Sequence, residues 1–468
     1  MGRTVRHRAV RVTLDELKVE LGIESRRIDE AIRYLVSHPA ELDGLIRHTG
    51  LTRRLAERVL AAFDETEGAP ALPAAAVTTE LTEWLQRLIE NAPAPKRQLD
   101  HVSATADTLA RRAVYLAGRY ALSGRRVLFL GDHDLTSFAL ARVQPDIGIV
   151  VADIDDELLD YMHAVARREQ LPVVLAHADF AKVLPSAARD VDLVVTDPPY
   201  TPEGIGMFVA RAIEALAGRS LTAGRVVMAY GYSPQHPALG LNVQRMIGGL
   251  ECAIEYALPE FNIYDGAQAI GGRSDLYCLA PTAGSLKAAQ RLLAQSRARV
   301  YTHGTRSVES GGGEVTEGES HISITHSLVD DHESALLRAL LRATAPSVAI
   351  VVPNSHPDIA SEHRQRELTA LVAPRYRLRF LRSRPSPKLA IVVGESVAGA
   401  SPGLIAKPNT TLATALADRA YKAARVAGGS MSRTDAAEAA RVALDEIGPA
   451  YGGVAVADLP RAVLRGLT

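Results

Sequence analysis

The sequence predicts an α/β protein built on a doubly wound, mostly parallel sheet, and three observations carry that prediction. Short apolar runs alternate with amphipathic stretches from residue 125 onward, the signature of strands joined by crossover helices. Each run ends in an acidic residue: RRVLFL (125–130) leads into GDHD, IGIVVADID (147–155) ends at Asp153 and Asp155, PVVLAHAD (172–179) at Asp179, and DLVVT (192–196) at Asp197. Ligands of such sheets sit outside the carboxyl ends of the strands, so these acids are placed where a site belongs.

Size and composition bound the rest. A chain of 468 residues predicts roughly three units. With 47% hydrophobic and 23% charged residues it has the balance of a soluble globular protein. A formal net charge of -1 excludes a global field that would recruit nucleic acid or an anionic membrane. Cys252 and Cys278 form no CxxC pattern and read as reduced core residues of a cytoplasmic protein. MGRTVRHRAVRV lacks the apolar segment of a signal peptide, and no run has the length of a membrane-spanning helix. No metal site is predicted.

The elements follow in order. Residues 1–75 predict an N-terminal helical, helix-turn-helix-like domain, in which ELDGLIRHTGLTRRLAERVLAAF reads as a helix-turn-helix with Thr52 as N-cap of its second helix. Arg53, Arg54 and Arg58 on that helix suit DNA, but the surrounding acids favour a structural module. Residues 76–100 predict a helix, TTELTEWLQRLIE, and a linker, and residues 101–300 the catalytic α/β domain. ECAIEYALPEF and SDLYCLAP close that domain as antiparallel strands. Residues 301–321, with three consecutive glycines, predict a flexible linker. Residues 322–468 predict a C-terminal α/β extension ending in Ala-rich helices, a packing or oligomerisation cap, and a homodimer is expected.

The chemistry concentrates at two loops. A dinucleotide fold would place GxGxxG after its first strand so that backbone amides cradle a pyrophosphate. Here only Gly131 remains, with Asp132 and Asp134 crowding the loop. Carboxylates repel phosphate, and they repel the carboxylate of intact S-adenosylmethionine, but they attract an ammonium or a sulfonium without a carboxylate. Asp153 stands where an acid accepts from both hydroxyls of a ribose. In DPPY (197–200), Asp197 and the carbonyl of Pro198 suit the hydrogens of an attacking nitrogen, and the ring of Tyr200 suits the cation that develops there. A pattern of this kind is similar to that of amino-group methyltransferases. The alternative for Asp132 or Asp134 is a helix cap, and for DPPY a structural turn.

Taken together, DHVSATADTLARRAVYLAGRYALSGRRVLFLGDHDLTSFAL, VVADIDDELLDYM, TDPPYT and GAQAIGGRSDLYCLAPT resemble the branched-chain polyamine synthase family, the N4-bis(aminopropyl)spermidine synthases. The resemblance covers roughly residues 30–285 and implies a Rossmann-like catalytic domain of the class I S-adenosylmethionine methyltransferase kind, preceded by a winged-helix-like N-terminal domain. It implies an aminopropyltransferase that uses decarboxylated S-adenosylmethionine as co-substrate, a small-molecule amine as acceptor, and no membrane. Asp179 matches the position that meets adenine in such folds, and PEFNIYDG offers Glu260, Tyr264 and Asp265 to the acceptor.

One departure matters: the family's GDDD is GDHD here, so that His133 replaces an acid. It can act as a base near neutral pH, or mark a less cationic acceptor. Asp132, His133, Asp134, Asp197 and Tyr200 are thus the expected catalytic set, with Gly131, Asp153, Asp179 and Pro198 at the nucleotide. Two rivals remain open at this point: a methyl- or aminocarboxypropyltransferase that uses intact S-adenosylmethionine, and a non-catalytic DNA-binding regulator.

Overall fold

A computed structural model describes residues 12–64, 68–70, 76–219, 221–266, 272–295, 300–303, 324–373, 375–397 and 409–467. Four helices, α1 (Leu14–Leu21), α2 (Arg26–Ser37), α3 (Leu42–Thr49) and α4 (Arg53–Ala62), close around Leu17, Ile28, Leu45 and Val59, which are fully buried. Thr52 holds the N-cap position of α4 but makes no side-chain cap bond. Arg53 pairs with Glu57 at 3.0 Å and Arg58 with Glu20 at 2.5 Å, so two of the three arginines that suited DNA are turned to carboxylates of their own unit. No strand precedes Ser103 among the described residues, and the wing of a winged helix is not among them. Buried Arg26 docks this unit on the main body, donating at 2.8 and 3.0 Å to the carbonyls of Ala117 and Tyr120, where a helix end leaves acceptors unsatisfied.

After α5 (Thr79–Asn91) and β1 (Ser103–Ala104), α6 (Ala106–Arg119) packs on the sheet through Leu109, Ala113 and Leu116. The sheet then assembles by βα alternation: β2 (Arg126–Leu130), α7 (Thr136–Val143), β3 (Gly148–Asp153), α8 (Asp156–Glu169), β4 (Val173–His177), β5 (Leu193–Thr196), α9 (Pro202–Leu216) and β6 (Arg225–Tyr230). Following α10 (Pro237–Gly249), the hairpin of β7 (Cys252–Asp265) and β8 (Arg273–Pro281) completes it, and α11 (Ser285–Gln295) packs behind. The order is β1-β7-β8-β6-β5-β2-β3-β4, parallel from β6 to β4 and antiparallel at β8, β7 and β1. The chain leaves β2 toward β3 on one side and returns to β5 on the other. This reversal opens a crevice at the carboxyl ends of β2 and β5, where GDHD and DPPY lie.

The C-terminal part forms a second sheet of order β11-β12-β10-β9, from β9 (His326–Ser327), β10 (Ser347–Pro353), β11 (Tyr376–Arg382) and β12 (Leu389–Ser396). Helices α12 (Ala335–Arg342), α13 (Glu362–Val372), α14 (Leu412–Val426), α15 (Arg433–Ile447) and α16 (Arg461–Leu467) accompany it. Buried Arg338 joins the two bodies, donating to the carbonyls of Ala457 and Leu459 at 3.0 and 2.9 Å and to the carboxylate of Asp156 at the start of α8. The Ser334 hydroxyl donates to the Ile154 carbonyl at 2.9 Å. The start of α12 thereby braces the β3–α8 turn from outside.

Most of the expected linker at 301–321, from 304 onward, lies outside the described residues. Its first residues are a correction: Tyr301 is buried in the core below β5 and β6, and the Thr302 backbone donates to Asp100 at 2.7 Å. Those residues belong to the wall of the crevice because an aromatic ring and a backbone amide both find partners there.

Candidate functional site

The crevice encloses about 780 Å³ and is lined from the strand ends by Gly131, Asp132, His133, Asp134, Asp153, Asp197, Pro198 and Tyr200. Gly131 follows β2 with φ 69°, a left-handed conformation that glycine adopts without strain. Its turn lets the Asp132 amide donate to Asp153 Oδ2 at 3.1 Å, while Asp132 Oδ2 accepts from the Ser137 amide at 3.1 Å in the first turn of α7. Asp153 Oδ1 accepts from the Asp155 amide at 2.9 Å. Burial raises both acids, Asp153 to about 6 against the amides that lower it, and Asp132 further upward, with Asp134 and Asp153 adding like charge.

DPPY is fixed from the helix side. Thr201 caps α9 by accepting from the Gly204 amide at 2.9 Å, and Pro202 opens that helix, where its missing N–H costs nothing. A Cβ on Gly204 would stand 2.7 Å from the Pro199 carbonyl, so only glycine allows the turn to fold back this tightly.

At the centre stands a residue the motifs did not single out. Arg112 of α6, with 5% of its side chain exposed, donates to Asp134 Oδ2 at 2.8 Å, Asp197 Oδ2 at 2.9 Å, Asn262 Oδ1 at 2.7 Å and Tyr264 Oη at 3.0 Å. Asp197 Oδ1 accepts from Tyr200 Oη at 3.0 Å and Oδ2 from Tyr264 Oη at 2.6 Å. Burial works to lower the guanidinium, and Tyr264, Asp197 and Asp134 more than reverse it, so Arg112 is held charged. Burial also raises Asp197, with Arg112 opposing. Two of the four acids in the like-sign cluster expected from the sequence are therefore paired with one cation.

Asp134 is a correction of the same kind. Its two oxygens serve Arg112 and the Ala104 amide, the latter at 2.8 Å, so it acts as an anchor of α6 and β1 and not as a free acid. His133 is a second correction. Its ring stacks on His101 at 4.3 Å, and burial lowers it to about 4 and His101 to about 3. Both imidazoles are neutral at pH 7 and too weakly basic to deprotonate an alkylammonium.

Three expected contacts do not reach the cavity. Asp179 lies beyond the end of β4, where its carboxylate accepts from the Ala181 amide at 3.1 Å and pairs with Lys182 at 3.3 Å; its neighbour Phe180 lines the wall instead. Glu260 sits in the irregular pairing between Leu258 and Asn262, with φ 50°, and this bulge turns it outward to Arg273 at 2.5 Å. Asp265 follows Tyr264 on β7, and since strand side chains alternate, the strand that brings Tyr264 inward sends Asp265 out. Of the expected acceptor set Glu260, Tyr264 and Asp265, Tyr264 is the one that meets the site.

Strand order, reversed closing hairpin and an acidic crevice at the switch point define a doubly wound, Rossmann-like α/β fold. More particularly, residues 80–295 match the family model described as Branched-chain polyamine synthase A C-terminal domain. An uncharacterized protein of Methanocaldococcus jannaschii is 30% identical over 195 residues, 42% of this chain and 47% of that one. The N(4)-bis(aminopropyl)spermidine synthase of the same organism is 36% identical over 143 residues, 30% of this chain and 40% of its own. The matched stretch thus spans less than half the length of these curated relatives. Among solved structures, the branched-chain polyamine synthase from Thermus thermophilus in complex with N4-aminopropylspermidine and 5'-methylthioadenosine is 19% identical with a TM-score of 0.38, covering 57% of this chain and 91% of that one. No helix of the described residues is long and apolar enough to cross a membrane.

Proposed function

We propose that this chain transfers an aminopropyl group from decarboxylated S-adenosylmethionine to an amine, releasing methylthioadenosine. The observation that carries the reading is the family match over residues 80–295, because that stretch supplies the acids of the crevice and the whole Asp197 hydrogen-bond network. The acceptor nitrogen attacks the propyl carbon next to sulfur. A C–N bond forms, the C–S bond breaks, and its electron pair neutralises the sulfonium. The nitrogen becomes cationic and then loses a proton.

Asp197, fixed by Tyr200, Tyr264 and Arg112, accepts from the N–H of that nitrogen and steadies its growing charge, with Pro198 beside it. Asp153 holds the ribose hydroxyls through the lone pairs its two amides leave unused. The sulfonium is already an activated leaving group, so positioning and local charge suffice. The division into helical, catalytic and C-terminal units is proposed with it, the last bracing the nucleotide turn through Ser334 and Arg338.

Arg97 favours a second reading. It lines the cavity, its Nη2 contacts His303 Nε2 at 3.0 Å, and it pairs with no carboxylate among the described residues, so it suits the carboxylate of intact S-adenosylmethionine. Mass spectrometry of a diamine and triamine panel incubated with each donor separates the two. Methylthioadenosine and an aminopropylated amine are expected; adenosylhomocysteine with a methylated amine, or transfer only from the carboxylated donor, would establish the rival.

A pH dependence follows from Asp153. Protonated below about 6 in the unliganded protein, it must ionise to accept from both ribose hydroxyls. Methylthioadenosine affinity should therefore fall as pH drops through 6, approaching about tenfold per pH unit, and level off above. Calorimetry at pH 5 and pH 7.5 checks this, and equal affinities would remove Asp153 from the ribose.

A further inference from the structure

We infer that Ser274, on the closing hairpin, is a positioning residue that commits the Tyr200 hydroxyl to Asp197; the inference rests on the aminopropyl-transfer reading. Beyond the irregular pairing that turns Glu260 outward, Asn262 of β7 lies opposite Ser274 of β8. Both are buried, Asn262 completely and Ser274 with 3% exposed. Arg112 Nε donates to Asn262 Oδ1 at 2.7 Å, and because a guanidinium can only donate, this fixes which end of the amide carries the oxygen. The NH2 therefore faces β8, donating to Ser274 Oγ at 2.9 Å and to the Asp275 carbonyl at 3.2 Å. With Ser274 Oγ accepting there, its own hydrogen is left for Tyr264 Oη, 2.9 Å away.

Asp197, Arg112, Ser274 and Tyr200 all surround Tyr264 Oη, but a phenol has one hydrogen and two lone pairs. The hydrogen goes to Asp197 Oδ2 at 2.6 Å, and Arg112 at 3.0 Å takes one lone pair. One lone pair remains for two hydroxyls, Ser274 at 2.9 Å and Tyr200 at 3.0 Å. With Ser274 in that place, Tyr200 gives its hydrogen to its other neighbour, Asp197 Oδ1, at 3.0 Å. Asp197 then receives Arg112 and Tyr264 on Oδ2 and Tyr200 on Oδ1, and the remaining lone pair of Oδ1 is the one that meets the N–H of the acceptor. Burial favours the protonated carboxyl, as does the like charge of Asp134, while Arg112 opposes both, so the number of donors on Asp197 decides whether it accepts.

The test is the single-turnover rate of methylthioadenosine formation between about pH 5.5 and 9, at saturating decarboxylated S-adenosylmethionine, with spermidine and 1,4-diaminobutane as acceptors. Wild type, Ser274→Ala, Ser274→Cys, Tyr200→Phe and the Ser274→Ala/Tyr200→Phe double variant are compared. Removing the serine hydroxyl opens the last lone pair of Tyr264 to Tyr200, so Asp197 loses a donor and holds a proton more readily. The acid limb of the rate profile should move up by about one pH unit in Ser274→Ala. It should move less in Ser274→Cys, whose thiol is a weak donor. Ionisation of the amine itself contributes the same slope to every variant and cancels in the comparison. Adding Ser274→Ala to Tyr200→Phe should move the limb no further, because no hydroxyl is left to turn away. A limb unmoved in both serine variants, with rates lowered equally at every pH, makes Ser274 structural and overturns the inference while aminopropyl transfer stands. Additive shifts in the double variant overturn it as well. Absence of methylthioadenosine from the wild type with both amines overturns the inference together with the reading beneath it.

Discussion

Asp197→Asn lowers turnover by about 10²- to 10³-fold while methylthioadenosine still binds, the loss typical of one acceptor or donor removed from developing charge. The geometry says why so small a change has so large an effect. Oδ2 accepts from Arg112 at 2.9 Å and from Tyr264 at 2.6 Å, so an asparagine must turn its carbonyl oxygen to that side. Its NH2 then replaces Oδ1, facing the Tyr200 hydroxyl and the attacking nitrogen. The group that accepted an N–H becomes a donor aimed at another donor. Shape should persist, and with it the proposed nucleotide contacts, since Asp153 and Gly131 lie at the ends of other strands. Single-turnover rates at saturating donor, with calorimetry for methylthioadenosine, check both halves. A rate within threefold of wild type would take Asp197 out of the reaction, and a parallel loss of nucleotide binding would make it a structural residue.

Much of this arrangement was legible in the sequence. Alternating apolar runs located the parallel strands, because buried strands read as continuous hydrophobic segments and the helices between them are amphipathic. The strand-end acids located the crevice, because the topology leaves carboxyl ends open at the switch point. Side-chain direction was less legible where local backbone departed from a regular period. Glu260 was lost to a bulge, Asp265 to the pleat that favours Tyr264, and Asp179 to a turn it holds together. His133 was misread for another reason: its basicity depends on burial against His101, thirty-two residues earlier in the chain, and no local pattern reports a partner at that distance.

Arg112 did leave a signal. Leu109, Ala113, Leu116 and Ala117 mark the buried face of α6, and Arg112 falls on it, three residues after Leu109 and four before Leu116. A guanidinium at such a position needs buried acceptors, and the chain supplies them in the two loops that the sequence already marked as acidic. The acidity of GDHD and DPPY is thus partly the counterpart of one cation.

That gives the second large effect, in Arg112→Met. The substitution keeps the apolar stem but leaves Asp134 and Asp197 buried with no positive partner, which costs about 3–5 kcal/mol. Tyr264 and Asn262 lose a shared donor as well. At a few degrees per kcal/mol, the catalytic unit should melt on the order of 10 °C lower. Activity should fall further than stability explains, because Asp197, no longer beside a cation, rises toward its protonated form and ceases to accept from the amine. Arg112→Lys should recover part of the melting temperature but little of the rate: one ammonium restores charge without spanning four acceptors. Adding Asp134→Asn to Arg112→Met should recover stability because it removes one of the two stranded charges, and the double-mutant cycle should show coupling well above 1 kcal/mol. Differential scanning calorimetry on the four variants measures this directly. Additive losses would mean that Arg112 and Asp134 act independently, and the charge bridge between the two loops would have to be given up.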